Sequence, residues 1–329
     1  MGNLESKVEE IISDNLDEHL EVLNKVSGGA SHYTYSVVLG NGDEYIFKAS
    51  DYDWSGLPDY EYGFSIEGPM LEFLSDKQIL TPEVLFFDNS EEEFDFKFVI
   101  CEKVSGDNFF EAWESGDLST VKEAGKILAR LHNSVSFSDS GKLGWRDGGK
   151  DLFVAEEIEW IDMVQDMIYT FSENMREQTE FSNYFEEIRD LFERHKEVLR
   201  QDFSPVLLHQ EFGPRNMLVK NGEITGVVDW ERAISGDPEY DLFIAERQFT
   251  ARTNLFEGTD QEAEEIYKTL RDGYREIRDL EEGWEERRKI YHLVYITQVM
   301  WVLDDVVDSE DLLREYNSIR KEIEELGPN

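Results

Sequence analysis

Cysteine is nearly absent from this chain: Cys101 is the only one in 329 residues. A single thiol excludes an intramolecular disulfide and a cysteine-ligated metal cluster, and it points to a reducing compartment. Positive charge is also scarce. Lys and Arg number 32 against 74 Asp and Glu, a net charge of -42. Without a basic footprint, no nucleic-acid partner is expected. Long apolar runs are missing too. The most apolar stretch, Ile290 to Leu303, is too short to span a bilayer and contains His292 and Gln298, so it reads as a buried helix and no membrane partner is expected. The first twenty residues are acidic and lack an apolar centre, so no signal peptide is expected. Gly2 and Ser6 fit a myristoylation spacing, but Lys7 is a lone basic residue among acids and no polybasic run accompanies it. Together these absences favour the cytoplasm. Neither an internal repeat nor a low-complexity linker is visible, and nothing in the pattern fixes an oligomeric state.

What is present is a core-forming composition, 40% hydrophobic and 13% aromatic, which argues against disorder. The acids are spread along the whole chain and interrupt apolar helices, as in VKEAGKILARLHN and EEIRDLFERHKEVLR. That distribution fits a halophilic protein whose surface stays hydrated in molar salt, where screening to roughly 3 Å removes self-repulsion.

Periodicity divides the chain near Gly106. Residues 5–24 carry apolar positions at helical spacing. Two β-rich runs, YTYSVVL and EYIFKA, flank the hairpin signal GNGD. A helix over 65–74 follows, then strands in VLFFD and FKFVICEKV. These elements predict a small, mostly antiparallel sheet with one helix. Beyond 106 the pattern turns helical: a clear amphipathic helix over 121–132, a polar loop over 135–150, acidic helices over 152–200 with an aromatic stripe that includes Phe153 and Trp160, and a helical tail from Gln261. The expected organisation is 1–105 as a small β-rich lobe and 106–329 as a large helical lobe.

Five features fall in one order. A turn, Ser27-Gly28-Gly29-Ala30-Ser31, precedes the hairpin; glycine lets main-chain N–H groups approach phosphate oxygens. Lys48 sits on the strand after the hairpin. Glu67 lies in the short helix, where a carboxylate can pair with that lysine. His209, Glu211 and Asn216 share the segment HQEFGPRN. Asp229-Trp230-Glu231 follows the apolar strand ITGVV. Between Asn216 and Asp229 the run MLVKNGEITGVVD reads as a hairpin with its turn at Lys220–Glu223. A hairpin brings its ends together, so an amide oxygen and a carboxylate converge, the oxygen set that holds Mg²⁺ beside nucleotide phosphates.

This order resembles the protein-kinase-like fold, and the wording is closest to the aminoglycoside/macrolide phosphotransferase and choline-kinase-like superfamily. That superfamily carries LxHGDxxxxNxL and then GxIDWExAxxGDPxxDLA; here the text is LLHQEFGPRNMLV and GVVDWERAISGDPEYDLFIAE. VSGGASHYTYSVVLGNGDEYIFK and ILARLHN are similar as well, and the resemblance spans roughly 20–305. It implies an α+β bilobal fold with a small β-rich N-lobe and a large helical C-lobe. It also implies an ATP- and Mg²⁺-dependent transfer of phosphate to a hydroxyl of a small molecule. On this resemblance Ser27, Gly28, Gly29 and Ser31 would cover the phosphates and Lys48, held by Glu67, would contact them. Glu102 to Val104 would form the adenine hinge. Asn216 and Asp229 would bind Mg²⁺. Glu211 would accept or orient the substrate's proton, His209 would brace the loop, and Asp237 and Asp241 would cap and anchor the next helix. Protein kinases are less similar, with no DFG or APE triplet, and a metal hydrolase would use the same acids without nucleotide.

Two positions depart from the pattern. Gln210 replaces glycine, and Glu211 replaces aspartate. The longer acid changes the reach by about 1.3 Å from bond geometry. Three outcomes stay open: a re-set loop in which Glu works as the base, slow transfer carried by positioning, or a pseudokinase that binds nucleotide without transfer.

Overall fold

The structure is a computed structural model that describes residues 2–16, 18–26, 32–50, 60–77, 79–112, 118–250, 260–302 and 308–327. The chain forms two compact units. The first comprises Met1–Trp113, Gly144–Phe153 and Arg215–Ala233; the second comprises Glu114–Leu143, Val154–Pro214 and Ile234–Asn329.

In the first unit, α1 (Gly2–Leu16) precedes β1 (Leu20–Lys25), β2 (Tyr33–Leu39) and β3 (Glu44–Ala49). After α2 (Tyr60–Leu74) come β4 (Val84–Asp88) and β5 (Phe98–Glu102). The five strands make one antiparallel sheet in the order β1-β2-β3-β5-β4. The expected helix over 5–24 is therefore too long. It stops at Leu16, and Leu20–Lys25 pairs with β2 instead. The apolar positions of 20–25 suit either period, and the open edge of β2 decides between them. The sheet also carries two helices of this unit, not one.

Alternation along the strands sets which side chains face the core. Tyr35, Val37 and Leu39 of β2, with Phe47 and Ala49 of β3, are buried in a cluster with Val8, Ile11 and Ile12 of α1. Lys48, between Phe47 and Ala49, points to the opposite face. There α2 supplies Glu67. This helix contains Pro69, which has no N–H for the carbonyl of Ser65. Asn89 Nδ2 donates to that carbonyl at 2.8 Å, so the missing bond is replaced.

The chain continues through β6 (Asp107–Asn108) and α3 (Phe109–Ala112). β10 (Met217–Lys220) and β11 (Glu223–Val227) form the expected hairpin, with Lys220 opposite Glu223. Asn221 (φ 55°) and Gly222 (φ 82°) occupy its turn, the positive angles that match the twist of a two-residue hairpin. β6 pairs with β10, Leu218 opposite Asn108. A linear boundary at 105/106 does not contain this pairing, which joins residues 215–233 to the first unit.

The second unit is mostly helical. It holds α4 (Leu118–Ser134), α5 (Trp160–Gln178), α6 (Phe185–His195), α7 (Pro238–Thr250), α8 (Asp260–Arg275), α9 (Trp284–Val302) and α10 (Ser309–Glu324). β9 (Val206–Leu208) pairs with β12 (Ile234–Gly236), which also meets β7 (Gly141–Arg146). The expected loop over 135–150 thus contains a strand. β8 (Asp151–Glu157) carries Phe153, which therefore belongs to a strand and not to the helical stripe. β7 (GKLGWR) holds two glycines and β8 (DLFVAEE) three acids, residues depleted in strands, and pairing with a neighbour makes both segments extended. The stretch from Ile290 is a buried helix as expected. α4 and α8 cross closely at two glycines. A Cβ on Gly125 would lie 2.0 Å from the Leu270 carbonyl oxygen, and one on Gly273 would lie 2.0 Å from that of Lys122.

Candidate active site

The first unit brings together residues far apart in the chain. Lys48 Nζ lies 2.8 Å from Glu67 Oε2, 2.6 Å from Asp229 Oδ1 and 3.2 Å from Glu231 Oε2. Glu231 also meets His32 Nε2 at 2.7 Å. β3 aims Lys48 away from the core, α2 lays Glu67 across it, and the strand-to-turn segment after β11 delivers the other two acids. Asp229 holds φ at 69°, a strained value of the kind that clusters at functional sites.

Electrostatics follow from one ammonium among three carboxylates. Burial lowers the Lys48 pKa, but Asp229, Glu67 and Glu231 outweigh it and hold the amine well above its ordinary value. Burial pushes the Glu67 carboxyl up to about 7, against the pull of Lys48. For Glu231, burial is overcome by Lys48 and His32, and the carboxyl falls to about 2. Carboxylate oxygens of Glu67, Asp229 and Glu231 lie within 4.8 Å of one another. Asp229 is the open member, with 32% of its side chain exposed against 7% and 8% for the two glutamates.

Asn216 starts the hairpin that Asp229 ends. Its carbonyl accepts the N–H of Val228 at 2.9 Å, so it stands beside the residue preceding Asp229. Glu102 ends β5 and its N–H donates to the Glu83 carbonyl at 2.7 Å. That N–H is committed within the protein, and Val104 lies in the stretch after the strand. The turn of Ser27, Gly28, Gly29 and Ser31 lies outside the described residues.

The loop of the second unit is pinned from behind. Asp241 Oδ2 accepts the His209 N–H at 2.8 Å and Oδ1 accepts the Gln210 N–H at 2.7 Å. The Glu211 N–H points to His209 Nδ1 at 3.3 Å. His209 is fully buried while Glu211 is half-buried. Gln210 adopts φ 66°, the left-handed region that favours glycine. Asp237 caps α7 through the Glu239 N–H at 2.8 Å. Asp241 does not cap the helix as expected; three residues into it, its carboxylate serves the loop.

Sequence reasoning gave no role to Glu231 or His32, nor to His132, whose Nε2 lies 3.2 Å from Asp241 Oδ2. The residue types were visible in DWE, in SHYTY and in ILARLHN, but their partners lie on other elements.

A five-stranded sheet carrying a lysine–glutamate pair, with a mostly helical second unit, is the organisation of a protein-kinase-like fold. The chain belongs to the phosphotransferase enzyme family, whose family model matches residues 22–289. Over 36 residues it is 47% identical to hygromycin-B 4-O-kinase of Escherichia coli, a match that covers 11% of each chain. Among solved structures, a protein assigned as a fructosamine-3-kinase from Thermobifida fusca matches with TM-score 0.67 at 16% identity over 97% of this chain and 98% of its own. Aminoglycoside phosphotransferase APH(4)-Ia matches with TM-score 0.64 at 16% identity over 98% and 97%. A thermostable mutant of the latter, in a ternary complex with ADP and hygromycin B, matches with TM-score 0.60 at 16% identity over 97% of both chains.

Proposed function

We propose that this phosphotransferase moves the γ-phosphoryl group of ATP to a hydroxyl of a small molecule, with Mg²⁺. The observation that carries the reading is Lys48, held between Glu67 and Asp229 at 2.8 and 2.6 Å. An ammonium fixed by carboxylates on both sides is oriented before any phosphate arrives, and phosphoryl transfer asks mainly for positioning and charge neutralisation.

Lys48 would grip the phosphates and Glu67 would keep it in place. The turn at Ser27, Gly28, Gly29 and Ser31 would supply backbone N–H groups to them, and the stretch from Glu102 to Val104 would receive adenine. A hard-oxygen set that stays net negative after Lys48 is counted suits Mg²⁺. Asn216 and the exposed Asp229 would hold it; when bound, the ion neutralises charge on the transferring phosphate. Glu211 would take the acceptor hydroxyl's proton as the oxygen–phosphorus bond forms and the bond to the ADP leaving group breaks. His209 would keep the loop in shape.

The acceptor is a polyol or amino alcohol in this reading. A solved neighbour holds hygromycin B and another is assigned to fructosamines, so both chemistries belong in the test panel. No specific observation favours the pseudokinase alternative. Among the described residues no helix is long and apolar enough to cross a membrane, and the dispersed acids support a salt-rich cytoplasm as the working environment.

The experiment is transfer from γ-labelled ATP in high KCl with Mg²⁺, using hygromycin B, other aminoglycosides, amino alcohols and fructosamines as acceptors. Labelled product that disappears in Asp229→Ala supports the reading. ATP binding without product from any acceptor or from a metabolite extract would overturn it.

A further inference from the structure

Behind the His209–Glu211 loop a line of buried hydrogen bonds links three helices. Asp241 of α7 meets His132 of α4 through Nε2 at 3.2 Å. The other ring nitrogen, Nδ1, lies 2.8 Å from the hydroxyl of Tyr274 on α8. Asp241 is fully buried, and His132 and Tyr274 are each 1% exposed. The rings of His132 and Tyr274 meet edge to face, 5.6 Å apart at 68°. Tyr274 adjoins Gly273, and the glycine crossing of α4 and α8 lets its backbone approach this closely.

Donor counting fixes the direction of the line. A carboxylate only accepts, and a neutral imidazole has one N–H and one lone pair. Asp241 already accepts two backbone N–H groups, so the nitrogen facing it must carry the proton. Nδ1 then accepts, and the Tyr274 hydroxyl donates. The opposite tautomer would set a lone pair against a buried carboxylate, a costly arrangement where dielectric screening is weak. Burial holds His132 below its ordinary pKa, with Asp241 and Asp237 opposing and Arg278 adding to the shift, in keeping with a neutral ring.

We propose that Tyr274 is a positioning residue for this loop: its hydroxyl donates to Nδ1 and fixes the orientation of the His132 ring, whose tautomer Asp241 sets, and His132 then holds Asp241 against the N–H groups of His209 and Gln210. The inference rests on reading 209–216 as the loop that carries the catalytic acid. Its consequence is that a helix of the C-terminal region sets the geometry of Glu211 through three buried side chains.

The test is Tyr274→Phe in the full-length protein, with Tyr267→Phe on the same helix as control. Long-range ¹H–¹⁵N spectra should show wild-type His132 protonated on Nε2, and in the variant the Nδ1 signal should shift as that nitrogen loses its donor. The amide signals of His209 and Gln210 should move in Tyr274→Phe and stay in place in Tyr267→Phe. With hygromycin B or whichever acceptor proves active, kcat should fall roughly tenfold, as expected from one buried hydrogen bond, while KM for ATP stays within about twofold. An Nδ1–H tautomer in wild type, or unmoved His209 and Gln210 amides in Tyr274→Phe, overturns the proposal. So does an unchanged kcat in an active enzyme. If wild type transfers no phosphate, the functional reading fails, and the relay is decided by the spectra alone.

Discussion

Lys48 and Asp229 stand 181 positions apart in sequence and 2.6 Å apart in space. Their contact joins the sheet to the end of the hairpin and gathers one cation and three acids into a site with excess negative charge. The consequences for stability and for nucleotide binding are separable.

Replacing Lys48 with Met leaves three carboxylates facing one another in a mostly buried space. Removing one partner of a buried ion cluster costs about 3 kcal/mol. Lys48→Met should therefore unfold at markedly lower temperature than wild type, and millimolar Mg²⁺ should restore part of the loss by taking the place of the ammonium. Thermal unfolding with Mg²⁺ or EDTA checks this; equal Mg²⁺ shifts in both proteins would contradict it.

Glu67 gives a pH signature. Its carboxyl is raised from the ordinary 4.5 to about 7. A raised acid binds its proton more tightly in the folded state, so its contribution to stability is greatest below 4.5 and is lost as pH rises toward 7. Binding runs the other way. Below about pH 7 Glu67 is protonated and holds Lys48 less firmly, so KM for ATP should rise as pH falls from 8 to 6. Glu67→Gln should abolish that acid limb. Kinetic profiles of both proteins decide it.

Gln210 holds φ at 66°. A side chain in the left-handed region costs about 1 kcal/mol relative to glycine, partly offset by glycine's freedom in the unfolded chain. Gln210→Gly should raise stability by up to about 1 kcal/mol, and Gln210→Ala should not. Urea unfolding of the three proteins measures the difference.

Glu211 is tested by charge and by length. Glu211→Gln should lower kcat by about 100-fold or more, the usual scale for a general base. Glu211→Asp shortens the reach, and a displacement near 1 Å can change the rate on the order of 100-fold. If the loop is set for glutamate, aspartate is slower; if glutamate is the handicap, aspartate is faster. KM for ATP should stay within about twofold in both.

The net charge of -42 predicts a salt requirement. Screening shortens from about 10 Å at 0.1 M to about 3 Å at 1 M salt, so the melting temperature should climb by several degrees between 0.1 and 2 M KCl. A flat or falling curve would remove the case for a halophilic surface.

Much of this was readable in one dimension. Period-two alternation in YTYSVVL and EYIFKA fixed which residues face the core, and hence that Lys48 does not. Asn221-Gly222 fixed the hairpin between Asn216 and Asp229, because few other residues accept two positive φ angles in succession. The helices at 121–132 and from 261 followed from their apolar spacing. By contrast, 20–25, 141–146 and 151–157 became strands only because an edge was there to pair with, and propensity carries no information about a distant edge.

The sequence by itself determined the order of the chemical groups and the local shapes that present them, since both depend on neighbours within a few residues. Tertiary structure alone decided that Glu231 and His32 join Lys48, and that Asp241 turns from its helix to the loop. It also decided that Tyr274 reaches His132 across a glycine crossing. Those choices depend on the meeting of elements far apart in the chain, and a side chain's direction can be read from periodicity while its partner cannot.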